Sequence, residues 1–233
     1  MNYMDSRLAD IEIYKKYPAM TPFVGSEYSI GGILLLGESF YLPNDCAQNK
    51  SDHAWYVGNQ STIKDYEIPW IDCRGLILSQ WRSPGHFLYR ETDRCLKDAG
   101  MNNLDNAFGN VAFMNSFLRP SPKEGDSIKN YATSLDCDVA LDTIVKVLGI
   151  IRPRIALFMS VFSFNVVGRR IHDKDVIIDH TCHPATGGRY WRKKSYNNGR
   201  EKFLKIISDQ FNLNPCKISA QQDDTPEPAS PAR

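Results

Sequence analysis

The chain has 233 residues, 42% hydrophobic and 24% charged, with a formal net charge of +1. This composition suits one folded α/β domain and excludes a disordered chain, and its longest apolar run is far short of a membrane span. A near-neutral chain carries no global attraction for polyanions, so any nucleic-acid contact requires local clusters of Lys and Arg.

Residues 1–30 read as a leading helix, Ser6 to Tyr14, and a connector. The first 18 residues lack a hydrophobic core segment and do not read as a secretory signal. Gly31 to Pro43, "GGILLLGESFYLP", then opens the main domain, placed at 31–216. Ile33 to Leu36 is a short, continuous apolar run, the pattern of a strand buried on both faces. Gly37 ends it, and Glu38 and Ser39 fall where an open α/β sheet places its ligand crevice.

Residues 44–85 hold Trp55, Trp70 and Trp81 among many polar residues, with only Gly75 to Leu78 as a core element. This stretch reads as an irregular insertion covering one side of the crevice. Beyond it, His86 to Ala99 is an amphipathic helix, with Gly100 suited to a left-handed C-terminal cap. Val111–Met114 is a second strand. Leu135 to Leu148 is a helix with Ser134 as its N-cap. Ile155–Met159 is a third strand, Ser163 to Ile171 a short helix, Val176–Ile178 a fourth strand, and Gly199 to Phe211 a closing helix. Residues 217–233 are polar and Pro-rich and read as a disordered tail. Alternating strands and helices imply a mostly parallel sheet with helices on both faces. The six cysteines at 46, 73, 95, 137, 182 and 216 form no CxxC pair. Reduced thiols in a cytoplasmic protein are therefore expected, with no metal site.

Parallel strands deliver their C-terminal ends to one edge. Glu38, Ser39 and Tyr41 follow the first strand, Asn115 the second, and Asp179, His180 and His183 the last. A carboxylate, an amide and an imidazole are thus expected together. Taken singly, each has a structural reading: a carboxylate at a helix start, a turn residue, a satisfied loop histidine.

Four segments, "ILLLGESFY", "VAFMNSFLRPSP", "IRPRIALFMSVFSFNVVG" and "HTCHPATGG", resemble in order the motifs of the uracil-DNA glycosylase superfamily, and "GES-F-Y" is most similar to a branch carrying Gly-Glu-Ser-His-Tyr. The resemblance spans roughly residues 31–215, apart from 44–105. It implies a three-layer α/β/α sandwich with a four-stranded parallel sheet in the order 2-1-3-4. It also implies hydrolysis of the N-glycosidic bond of uracil or another deaminated base, flipped out of single- or double-stranded DNA. By the same resemblance His183 donates to the departing base, Asn115 reads the base edge, and Tyr41 crowds the face where thymine carries its methyl group. Ser39 stands where the most active members have a water-activating Asp, which leaves Glu38 as the available carboxylate. Ala185 replaces the Ser of His-Pro-Ser. The cysteines do not match the iron–sulfur branch, so no cofactor is implied.

After His183-Pro184, Arg189, Tyr190, Trp191, Arg192, Lys193 and Lys194 form a basic run with interleaved aromatics. It reads either as the loop that enters DNA or as a solvated stretch with Trp191 packed on the body. Two other functions compete with the glycosylase. "ILLLGES" is similar to the start of an SGNH-type serine esterase, with Ser39 as nucleophile. A non-catalytic nucleotide- or nucleic-acid-binding module would use the same crevice. A monomer without membrane contact is expected in each case.

Overall fold

The computed structural model describes residues 3–43, 51–83, 86–122, 125–186, 190–192 and 198–212. The expected tail at 217–233 lies outside these residues, as do Arg189, Lys193 and Lys194.

The sheet has five strands: β1 (Phe23–Val24), β2 (Ile33–Gly37), β3 (Ala112–Asn115), β4 (Ile155–Phe158) and β5 (Ile177–His180). They stand in the order β1-β3-β2-β4-β5. The four parallel strands therefore follow the order second, first, third, fourth. The expectation of four strands is corrected by β1, a two-residue antiparallel edge strand that pairs Phe23 with Phe113 and Val24 with Ala112. Two residues are too few to show a period of two, so no sequence pattern marks this strand.

Leu34, Leu35 and Leu36 are all fully buried, so both faces of β2 are covered. Burial of each such side chain is worth about 1.5–3 kcal/mol. Helices that the chain places between strands do the covering. On one side α1 (Tyr3–Ala9) and α3 (Asp52–Val57) pack on α7 (Ser134–Ile151), while elsewhere α6 (Phe87–Asp98) packs on α9 (Gly199–Asn212). The expected leading helix is two: α1 and α2 (Glu12–Lys16), divided at Asp10 and Ile11.

The segment after β2 is more regular than its composition suggests. It contains α3, α4 (Ile68–Ile71) and α5 (Cys73–Ser79). Ser51 and Asp72 cap α3 and α5 by accepting hydrogen bonds from the Ala54 and Gly75 amides. Trp55 and Ile77 join the core. Helices of four to seven residues are too short to show amphipathic periodicity, which explains why the stretch reads as irregular.

Helix α7 begins one residue away from the expected cap. Thr133, not Ser134, is the N-cap: its hydroxyl accepts from the Asp136 amide, and Asp136 accepts from the Thr133 amide. Gly100 has φ 104°, the left-handed position expected after α6. The short helix after β4 is α8 (Val161–Val166), capped by Ser160. No helix among the described residues is long and apolar enough to cross a membrane.

Candidate active site

The C-terminal edge of the parallel sheet carries the candidate site. Gly37 at the end of β2 pairs in register with Asn115 at the end of β3. The chains stay together past the strands, where the Phe117 amide donates to the Glu38 carbonyl at 2.9 Å. Glu38 is thereby fixed between β3 and β4.

Its carboxylate is held from both sides. Ser160 Oγ, just past β4, donates to Glu38 Oε2 at 2.6 Å, and Ser127 Oγ donates to Oε1 at 2.5 Å. Each carboxylate oxygen keeps further lone-pair capacity for water or ligand. Ser160 follows the run Ile155–Met159 and so carries the same strand-end signal as Glu38 and Asn115, whereas Ser127 lies in a loop and carries none.

His183 lies on the turn after β5 and is half-buried. Its Nδ1 accepts a hydrogen bond from the Ala185 amide at 3.1 Å. That bond occupies the Nδ1 lone pair, so in the neutral ring Nε2 carries the proton and is the donor. Burial lowers the His183 pKa below its ordinary value, while the nearby Glu38 carboxylate opposes that shift. Burial is the larger influence and favours the uncharged ring.

Asn115 is 3% exposed, and its Oδ1 has no hydrogen-bond partner among the described residues. A buried amide oxygen left open calls for a donor, which water or a ligand can supply. Gly37 makes room for it, because a Cβ there would stand 2.2 Å from Asn115 Oδ1. Tyr41 is half-buried beside the same carboxylate: burial raises its pKa, and Glu38 and Asp126 raise it further. Phe117 and Phe162 stack with centroids 5.5 Å apart and planes inclined by 17°. Phe162 is only half-buried, which leaves ring surface next to Ser160.

Ser39 is buried, and its Oγ also lacks a partner among the described residues. A serine nucleophile needs an imidazole or other base within hydrogen-bond reach, and Ser39 has none here. Asp179 and His180 do not join the site in the way a catalytic pair would. Asp179 forms an ion pair with Lys202 at 2.8 Å, and His180 stacks on Phe164 at 4.1 Å.

The basic run divides. Trp191 is fully buried, with its indole N–H donating to Glu91 at 3.1 Å and its ring against Phe203. It is a core residue and presents no face to DNA. Arg192 donates to the same carboxylate at 2.6 Å but keeps 46% of its side chain exposed, and Tyr190 is 50% exposed. Arg119, which follows Asn115 closely enough to suggest the same basic face, is instead 5% exposed and paired to the buried Asp136 at 2.6 and 2.8 Å. Among the described residues, no group of three or more His, Cys, Asp or Glu side chains could hold a metal ion. No protein-family model matches the chain, and no curated protein matches it.

Proposed function

We propose that the chain is an N-glycosylase of the uracil-DNA glycosylase kind, acting on uracil or another deaminated base in DNA. The observation that carries this reading is the presence, past the ends of β2 and β5, of a carboxylate held by two serines and an imidazole whose Nδ1 is occupied by a backbone amide. Burial favours the uncharged imidazole, in which Nε2 bears the proton, and two serine hydroxyls orient the carboxylate.

The reaction asks for both. A base inside a duplex cannot be reached, so the nucleotide is flipped to the sheet edge. The C1′–N bond breaks and its electron pair leaves with the base. Charge develops on a base oxygen, where His183 Nε2–H donates without itself ionising. Water adds to the oxocarbenium-like C1′ and gives its proton to Glu38 or to solvent, and the departing base anion takes up a proton from solvent. The products are the free base and an abasic sugar.

Asn115 supports base recognition, since its open Oδ1 accepts from a ring N–H and its amide N–H₂ donates to a carbonyl. The exposed part of Phe162 is suited to stack on the base. Tyr41 stands beside Glu38 as the group that would exclude a methylated pyrimidine. The isolation of Ser39 Oγ disfavours the esterase, so Ser39→Ala is expected to retain whatever excision the parent shows. The test is incubation of oligonucleotides bearing one uracil, hypoxanthine or xanthine with excess protein, followed by alkaline cleavage at abasic sites.

A further inference from the structure

A cleft of about 360 Å³ is lined by residues of α6 and by Trp81 and Arg82. Arg82, Arg90, Arg94 and Lys97 line it with Trp81, against the two carboxylates Asp93 and Asp98. Both carboxylates are already engaged. Asp93 pairs with Lys97 at 2.9 Å and accepts the Ala107 amide, while Asp98 pairs with Arg200. Arg82 pairs with Asp105 and lies over the Trp81 ring.

Arg90 differs from these. Among the described residues its guanidinium has no carboxylate partner, and its contact is with the Phe87 ring at 5.6 Å. Arg192 lies over the same ring at 6.0 Å. Arg94 and Arg192 in turn share one oxygen of Glu91, at 3.1 and 2.6 Å. Glu91 is 2% exposed, so it acts as an internal post from which two guanidiniums project outward. Three arginines, from two separate segments, are thus gathered around Phe87 and Glu91 with only one negative charge among them.

We infer that Arg90, Arg94 and Arg192 form a phosphate-binding face that holds the DNA backbone beside the excision site. Guanidiniums present planar donor forks that fit phosphate oxygens. Their positions are set by packing on Phe87 and by Glu91, so little side-chain freedom is lost on binding. The α6 helix also packs against the Pro184–Thr186 turn that follows His183, which joins this face to the candidate site. An acidic peptide would meet the same forks, but the contact of α6 with the turn after His183 places this face next to where the proposed DNA substrate is held.

The choice of DNA as partner rests on the proposed glycosylase function, whereas its test does not require excision. The full chain is titrated with an undamaged 20-base-pair duplex across a salt series, followed by fluorescence anisotropy. Loss of two phosphate contacts in Arg90→Ala/Arg94→Ala is expected to reduce the slope of log affinity against log salt by about 1.8. Arg90→Lys should keep the slope, and Lys146→Ala, on the exposed side of α7, should leave binding unchanged. Thermal melts confirm that each variant is folded. An unchanged slope in the folded double variant would overturn the inference. So would an equal loss of affinity for polyglutamate, because the face would then recognise charge alone. A reduced slope in the double variant, with a parent that produces no abasic sites, leaves this face standing and removes the glycosylase reading.

Discussion

Ser160 Oγ donates to Glu38 Oε2 at 2.6 Å, joining the residue after one strand to the residue after its neighbour. The same Ser160 hydroxyl accepts the Ser163 amide and so caps α8. One side chain thereby fixes both the carboxylate and the start of the helix that carries Phe162. Ser127 supports the other oxygen.

Removing either hydroxyl is expected to slow excision while leaving Glu38 in place. Hydrogen bonds to charged groups are worth about 1.5–3 kcal/mol, of which orientation of the carboxylate is a part. Ser160→Ala and Ser127→Ala should each lower the single-turnover excision rate by roughly tenfold, since 1.4 kcal/mol corresponds to that factor. Ser160→Ala should also cost about 1 kcal/mol of stability through its cap. Unchanged rates in both variants would show that Glu38 needs no positioning.

His183 provides a test that requires no turnover. Burial depresses its pKa and Glu38 pulls it back, so Glu38→Gln should depress it further. Folded His183 binds fewer protons than the unfolded chain at pH values just below 6.5. Its contribution to stability is therefore present above the unfolded value and is lost as pH falls through the folded one. An NMR titration of the imidazole Cε1–H should place the parent below 6.5 and Glu38→Gln lower still. A His183 titration unaffected by Glu38→Gln would separate the two groups.

Gly37 is expected to tolerate no side chain. The Cβ of Gly37→Ala would meet Asn115 Oδ1 at 2.2 Å, so the amide must move from its present position. Affinity for uracil-containing single-stranded DNA should fall at least fivefold relative to undamaged strand, with the helical content by circular dichroism retained. Unaltered discrimination would remove Asn115 from base recognition.

Three of the parallel strands were legible because buried strands leave continuous apolar runs, but β5 is partly exposed and runs to His180, so Asp179 and His180 lie within it and not after it as expected from the run Val176–Ile178. Glu38, Asn115 and His183 could still be grouped at strand ends. Ser127 could not, because loops carry no period and its role depends on a chain reversal that only packing supplies. Trp191 was ambiguous for a related reason. An aromatic within a basic run has the same local signature whether it faces solvent or the core, and its partners Glu91 and Phe203 are distant in sequence. Arg119 has the same ambiguity, since its partner Asp136 lies in another element.

The Arg119–Asp136 pair supports the fold beneath the site. Asp136 is fully buried and also accepts from the Tyr56 hydroxyl at 2.9 Å. Burial alone would raise its pKa, but hydrogen bonds from Arg119, Thr133 and Tyr56 bring it below the ordinary carboxylate value. Its contribution is present above that value and is lost as pH falls through the lower, folded one. Asp136→Ala leaves the arginine buried and unpaired, which should cost about 3–5 kcal/mol. A urea midpoint equal to the parent's would contradict this.

The central claim is that His183 donates to a departing base. The most direct measurement is abasic-site formation on a single-stranded oligonucleotide with one uracil, comparing parent with His183→Ala at equal, excess protein. A donor aimed at the developing anion is worth about 10²–10³ in rate. The expected result is excision by the parent and a loss of that size in His183→Ala, with the melting temperature retained. Equal excision by the two proteins, or DNA binding by the parent with no abasic product from uracil, hypoxanthine or xanthine, would contradict it.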